Sequence, residues 1–233
     1  MKPVDIYFLH HSGFVLELEK VILVFDYYLD PLKRLEERLE KTDKPVYFFV
    51  SHVHGDHFNR AIRSFEDQAS GYFLHRDCSL NLGNQSILHM MDVGDEGKDG
   101  PLTVHMYGST DAGGSYMVEA EGLRIFHAGD LNWWHWAGEG DEENREARDW
   151  FFRELSCIRE KEVDIAFLPV DARQQVAREW GVKAYLHHFA ASLLVPMHAF
   201  GQHWVPSYEF RWLFPDQTMW IPKEDGDHVR REL

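Results

Sequence analysis

His52, His54, Asp56 and His57 occupy four of six consecutive positions in the run Phe49-Val50-Ser51-His52-Val53-His54-Gly55-Asp56-His57-Phe58. Imidazole nitrogen suits zinc and its first-row neighbours, and a carboxylate brings negative charge to set against a dication. In extended chain, residues two apart face the same way, so His52 and His54 can grip one ion. After Gly55 turns the chain, Asp56 and His57 can reach a second. The spacing therefore points to two neighbouring cations. A solvated polar loop after a strand is the plain alternative, because short motifs also arise by accident. Two ions need further donors, and two more strand ends supply them. Ile125-Phe126-His127-Ala128-Gly129-Asp130 breaks at a glycine and presents Asp130, whose carboxylate could bridge both ions. Leu193-Leu194-Val195-Pro196-Met197-His198 ends on an imidazole. Alone, Asp130 reads as a turn cap and His198 as a hydrogen-bonded core histidine; beside the four-residue motif both become candidate ligands. His75, His89, His187, His188 and His203 have no supporting pattern and are read as structural.

Short runs rich in β-branched and aromatic residues deliver these donors: 4–9, 14–19, 21–25 and then 46–50, which leads directly into the motif. Leu32, Leu35 and Leu39 follow helical spacing behind Pro31 and predict a surface helix over 32–40. Further strands are expected over 71–74, 102–106, 115–119 and 123–127, with an acidic, glycine-rich loop over 92–100. Ala147, Trp150, Phe151, Leu155 and Ile158 mark one face of a helix within 142–161. A buried strand over 163–169, a helix over 182–192 and a strand over 193–197 follow. Strands in two groups, with helices between and after them, predict an α/β (α+β) sandwich of two sheets covered by helices. One domain is expected over 1–233, with its core in 1–222 and a loose, charged tail over 223–233.

Composition narrows the chemistry. A formal net charge of −15 repels a polyphosphate backbone, so nucleic acid is a poor partner and a small-molecule substrate a better one. The N-terminus lacks the basic-then-apolar layout of a signal peptide, and no apolar run reaches membrane-spanning length. A cytoplasmic protein without a membrane partner is expected. Cys78 and Cys157 show no paired spacing and are read as reduced core residues. No Gly-x-Ser-x-Gly element offers a nucleophilic serine.

The order of Leu9-His10-His11-Ser12-Gly13-Phe14, Asp26, His52-Val53-His54-Gly55-Asp56-His57, His127-Ala128-Gly129-Asp130 and Pro196-Met197-His198 resembles the metallo-β-lactamase-fold hydrolase superfamily. It is more narrowly similar to the small bacterial branch that includes the ascorbate-phosphate lactonase group. The resemblance spans Val4 to about Ile221. It implies a four-layer αββα sandwich with the site at one edge, and one or two zinc ions, with manganese or iron as alternatives. It further implies a first ion on His52 and His54, a second on Asp56, His57 and His198, and Asp130 bridging. Asp26 matches a position that braces the metal loop by hydrogen bonds. One departure stands out: Ser109, in Gly108-Ser109-Thr110-Asp111, sits where such proteins offer the first ion a third imidazole. A neutral hydroxyl is a poor zinc ligand, so the first site is weakened, empty or completed by another group, with Asp111 and His135 as candidates.

The resemblance implies hydrolysis of a small ester, lactone or phosphodiester by a metal-bound hydroxide, with Asp56 and Asp130 as the catalytic carboxylates that orient it and take up its proton. The cluster Trp133, Trp134 and Trp136 after Asp130 offers a wall for an apolar or ring-shaped substrate, or hydrophobic packing under a loop. Arg173, past another strand end, offers a fork for a substrate anion or a salt bridge to a surface acid. Two other functions compete. Iron-dependent oxidoreduction uses the same fold, although di-iron relatives place a glutamate where this chain has His54. With Ser109 in place of the usual ligand, a degenerate, non-catalytic metal- or ligand-binding module is the third.

Overall fold

The computed structural model describes residues 2–233. Its strands form where apolar runs can be buried on both faces. In β4 (Val46–Val50) every residue is buried. Tyr47 and Phe49 enter one apolar cluster while Val46, Phe48 and Val50 enter the other, as a two-residue side-chain period requires.

One mixed sheet runs in the order β13-β1-β2-β3-β4-β5-β6. Its members besides β4 are β1 (Pro3–His10), β2 (Gly13–Glu17), β3 (Ile22–Phe25), β5 (Ala69–His75), β6 (Leu88–Met91) and β13 (His228–Glu232). The second runs β12-β11-β10-β9-β8-β7, from β7 (Glu96–Asp99), β8 (Leu102–Gly108), β9 (Gly114–Ala120), β10 (Leu123–His127), β11 (Glu162–Pro169) and β12 (Ala190–Met197). The sheets face each other across a continuous core, where Phe14 meets Phe167 at a ring-centroid distance of 4.5 Å and Phe49 meets Tyr116 at 5.6 Å. Aromatic pairs of this kind add to the burial of apolar area, which supplies most of the driving force.

Helices cover the outer faces. Leu35 of α1 (Arg34–Leu39) and Ile62 and Phe65 of a 3-10 turn pack on the first sheet. Asp30 starts α1, its two carboxylate oxygens accepting from the Arg34 and Leu35 amides. On the second sheet lie α2 (Asp141–Cys157) and α3 (Trp180–His188), the latter packing Tyr185 against Phe126 at 5.5 Å. A short α4 (Tyr208–Leu213) adds Phe210 to the core. The result is helix, sheet, sheet, helix. Among the described residues, no helix is long and apolar enough to cross a membrane.

Several local expectations need correction. The tail over 223–233 is not loose: residues 228–232 pair antiparallel with residues 3–7 and form the sheet's outer strand, with charged side chains suited to an edge. Part of the expected loop over 92–100 is β7, whose pairing with β8 supplies what its composition lacks. The helix expected over 182–192 ends at His188, and Ala190 already pairs with Glu162 in the sheet. Cys78 is buried, but Cys157 is exposed on α2.

Candidate metal centre

The topology gathers the candidate ligands at one edge. β1, β3 and β4 run in one direction within the first sheet, and β8, β10, β11 and β12 do so within the second. Beyond their C-terminal ends come His11, Asp26 and the His52 to His57 loop on one side. Asp111, Asp130, Asp171 and His198 follow on the other. Crevices past the carboxyl ends of parallel strands are where such sheets bind ligands. Gly113 allows the two sheets to meet here: it has φ +64°, and a Cβ on it would lie 2.1 Å from the Ser51 carbonyl oxygen.

Two groups of side chains result, each with donor atoms within 4.8 Å of one another: His11, Asp56, His57 and His198, and His52, His54, Asp111 and Asp130. Asp130 stands between them. Its Oδ1 lies 3.1 Å from His57 Nε2 and 3.3 Å from His198 Nε2, and its Oδ2 lies 3.4 Å from His52 Nε2. The Trp134 indole N–H donates to the Asp130 carbonyl oxygen and the Thr110 hydroxyl to the Asn132 carbonyl oxygen, and together they hold that turn.

Buried Asp26 orients the first-sheet ligands. Its Oδ1 accepts from the Ser51 amide at 2.7 Å, and its Oδ2 accepts from the Ser51 hydroxyl and from His57 Nδ1, each at 2.7 Å. Ser51 Oγ, having donated to Asp26, can accept from His52 Nδ1 at 2.9 Å. This chain of bonds leaves the Nε2 atoms of His52 and His57 facing the centre, the arrangement by which carboxylates fix metal-binding imidazoles. Across the cleft, Asp171 lies 3.2 Å from His198 Nδ1 and is itself gripped by Arg173. His11 and His198 hold positive φ of 56° and 57°, strained conformations that recur at functional sites.

Electrostatics follow from this crowding. Burial pushes the His11 imidazole down to about 3, and the neighbouring His198 and His57 add to the shift. Burial also lowers His52, with His57 beside it. For His57 burial acts in the same direction, but the carboxylates of Asp130 and Asp26 overcome it and raise the ring to about 10. Asp130 shows the reverse balance: burial opposes its ionisation, and His57, His198 and His52 outweigh it, holding the carboxyl below its ordinary value. Burial likewise opposes Asp171, which His198 and Arg173 draw down to about 2.

The decisive feature is what these buried atoms lack. The Nε2 atoms of His11, His52 and His57 and Oδ1 of Asp130 are buried without a hydrogen-bond partner. Polar atoms in such positions are costly unless something else satisfies them. A nitrogen-and-oxygen donor set around a shared space suits a divalent first-row cation.

The chain aligns over its full architecture with a known structure, the metallo-β-lactamase fold protein YhfI from Bacillus subtilis, at a TM-score of 0.60, covering 99% of this chain and 100% of that one at 13% identity. The chain has the metallo-β-lactamase fold. In sequence it is similar to the UPF0173 metal-dependent hydrolase of Alkaliphilus metalliredigens, 22% identical over an alignment of 208 residues that covers 83% of this chain and 84% of that protein. It is also similar to the UPF0173 metal-dependent hydrolase of Desulforamulus reducens, 30% identical over an alignment of 139 residues that covers 53% of this chain and 60% of that protein. No protein-family model matches the chain.

Within the metallo-β-lactamase fold, the structure brings His52, His54, Asp56, His57, Asp130 and His198 to one centre. Asp111 approaches His54 at 3.6 Å, whereas His135 packs on Trp180, 4.6 Å between ring centroids, and lies outside both clusters. Ser109 is buried, and its hydroxyl accepts from the Asp111 amide. Trp133 does not line the cavity beside the centre: its half-buried ring packs against Phe151, Phe152 and Trp180 and faces a separate surface groove. Trp134, Trp136 and Arg173 do line the cavity beside the centre. Sequence reasoning missed His11 as a donor and Asp171 as a brace. His11 and Asp171 each follow a strand end as Asp130 and His198 do, so the same rule applied to β1 and β11 would have found both.

Proposed function

We propose that the chain is a metal-dependent hydrolase of small esters, lactones or phosphodiesters. The observation that carries this reading is the set of buried, unpartnered atoms His11 Nε2, His52 Nε2, His57 Nε2 and Asp130 Oδ1 around one space. A divalent cation held there would acidify water and polarise the substrate's oxygen. His52, His54, Asp111 and Asp130 would hold one ion and His11, Asp56, His57 and His198 another, with Asp130 shared. Asp130 and the half-exposed Asp56, which both line the cavity, would orient the attacking water, and either would receive its proton. Zinc is the cation this donor set favours, with manganese or iron as substitutes. The lactones cleaved by the ascorbate-phosphate lactonase group fall within the proposed substrate class. Two free cysteines suit a reducing compartment, and we place the protein in the cytoplasm acting on a small molecule, with no nucleic-acid or membrane partner.

The test is to load metal-free protein separately with zinc, manganese and iron and to measure turnover of an aryl ester, a γ-lactone and an aryl phosphodiester. Turnover of at least one, restored by metal and absent in Asp130→Ala, is the expected result. Retained metal with no turnover of any would overturn the hydrolase reading. Asp111 adds a carboxylate to the His52 and His54 group, and this favours iron-dependent oxidoreduction as the second reading. Redox-active iron spectra in protein purified without added metal would support it.

A further inference from the structure

We propose that the cavity beside the metal centre selects substrates whose scissile group is attached to a planar aromatic ring. The proposal deepens the hydrolase reading and rests on it. The cavity measures about 480 Å³, large enough for a ring-bearing small molecule, and Asp130 and His198 open directly into it. From His198 an aromatic wall leads outward. Trp134 lies 5.4 Å from the His198 ring, and Trp136 stacks on Trp134 with centroids 5.7 Å apart and planes within 5°. Trp150 lines the same cavity from α2 while 38% exposed, an aromatic left part-wet on a helix whose neighbours Phe151 and Leu155 are buried.

The contrast with Trp133 separates packing from recognition. Trp133, half-buried like its neighbours, packs against Phe152 and Trp180 and faces a separate surface groove, whereas Trp134, Trp136 and Trp150 present their surfaces to the cavity beside the centre. Arg173 completes the frame. Its guanidinium lies 3.5 Å from the Phe200 ring centroid and 5.5 Å from that of Trp136, while Asp171 takes its Nε and Nη2 donors. Much of its charge is thus matched internally. Its Nη1 makes no hydrogen bond among the described residues and remains able to donate to an oxygen carried by the ring. Stacking faces next to a metal ligand, with one spare donor, form a slot for a flat group instead of a trap for a polyanion.

Two probes with the same metal-seeking head isolate the ring. Zinc-loaded protein is titrated calorimetrically with phenylphosphonate and with methylphosphonate. Phenylphosphonate should bind at least tenfold more tightly. Trp136→Ala should bring that ratio to within threefold of one while leaving methylphosphonate affinity within twofold. Trp150→Ala, at a partly exposed helix position that threatens the fold least, should lower the ratio in the same direction. Equal affinity for the two probes overturns the proposal and leaves the hydrolase reading standing. An undiminished preference in a variant carrying both Trp136→Ala and Trp150→Ala also overturns it, because the ring would then sit elsewhere. Binding of neither probe to zinc-loaded protein removes the hydrolase reading and the proposal together.

Discussion

The two halves of the metal centre are built to different standards. The His11, Asp56, His57 and His198 cluster is largely enclosed, and two of its imidazoles are backed by carboxylates, Asp26 behind His57 and Asp171 behind His198. In the other, His52 shares the Asp26 network through Ser51, but the side chains of His54 and Asp111 are about half exposed and come from loops. Rigid, braced ligands lose little freedom on binding an ion, and exposed loop ligands lose more. The contrast teaches that one cation should be resident and the other exchangeable, with Asp130 coupling the two.

Removing the coupling residue has the largest expected effect. Asp130→Ala should strip both ions and reduce hydrolysis to background while the far-ultraviolet circular dichroism stays native; full activity in that variant would end its shared role. Next comes the brace. Asp26→Asn should lower cation affinity by about 10–100-fold, as outer carboxylates commonly do. His54→Ala should release only the exchangeable ion. Elemental analysis after gel filtration distinguishes them, and equal loss from both variants would erase the difference between the halves.

The response to pH is the third expectation. The folded-state pKa of His57, about 10, lies above its unfolded value near 6.5. Its stabilising contribution to the metal-free protein is therefore complete below about pH 6.5 and fades as pH rises through 10. The incoming cation must displace that proton, so affinity should climb by up to about tenfold per pH unit over the same window. Chelator competition at pH 7, 8 and 9, beside melting curves of metal-free protein, should show affinity rising as the metal-free midpoint falls. The smallest effect is expected from Ser109→His. It should tighten the exchangeable ion by supplying an imidazole beside Asp111, measured as slower zinc loss to a chelator.

Much of this centre was legible in sequence because strands with buried ends announce where ligands emerge. The runs 46–50, 123–127 and 193–197 carry strong apolar patterns, and His52, Asp130 and His198 follow them at once. What escaped depended on contacts between distant segments. Asp171 becomes a brace only because β11 and β12 lie side by side and bring it against His198. Trp133 and Trp134 are adjacent in sequence, yet the turn after Asp130 sends one ring into the packing of α2 and α3 and the other to the cavity. Residues 228–232 look like a solvated tail because their charges suit an edge as well as a coil, and only pairing with β1 decides between them.

That ladder also governs how the protein will behave when shortened. Asp5 and His228, 223 positions apart, are joined at 2.8 Å across it. Without the outer strand, β1 would offer its bare amides and carbonyls to any extended peptide nearby, a common seed of insoluble assemblies. Trimming the C-terminus would leave every cation-binding side chain in place and still yield material that clumps during expression.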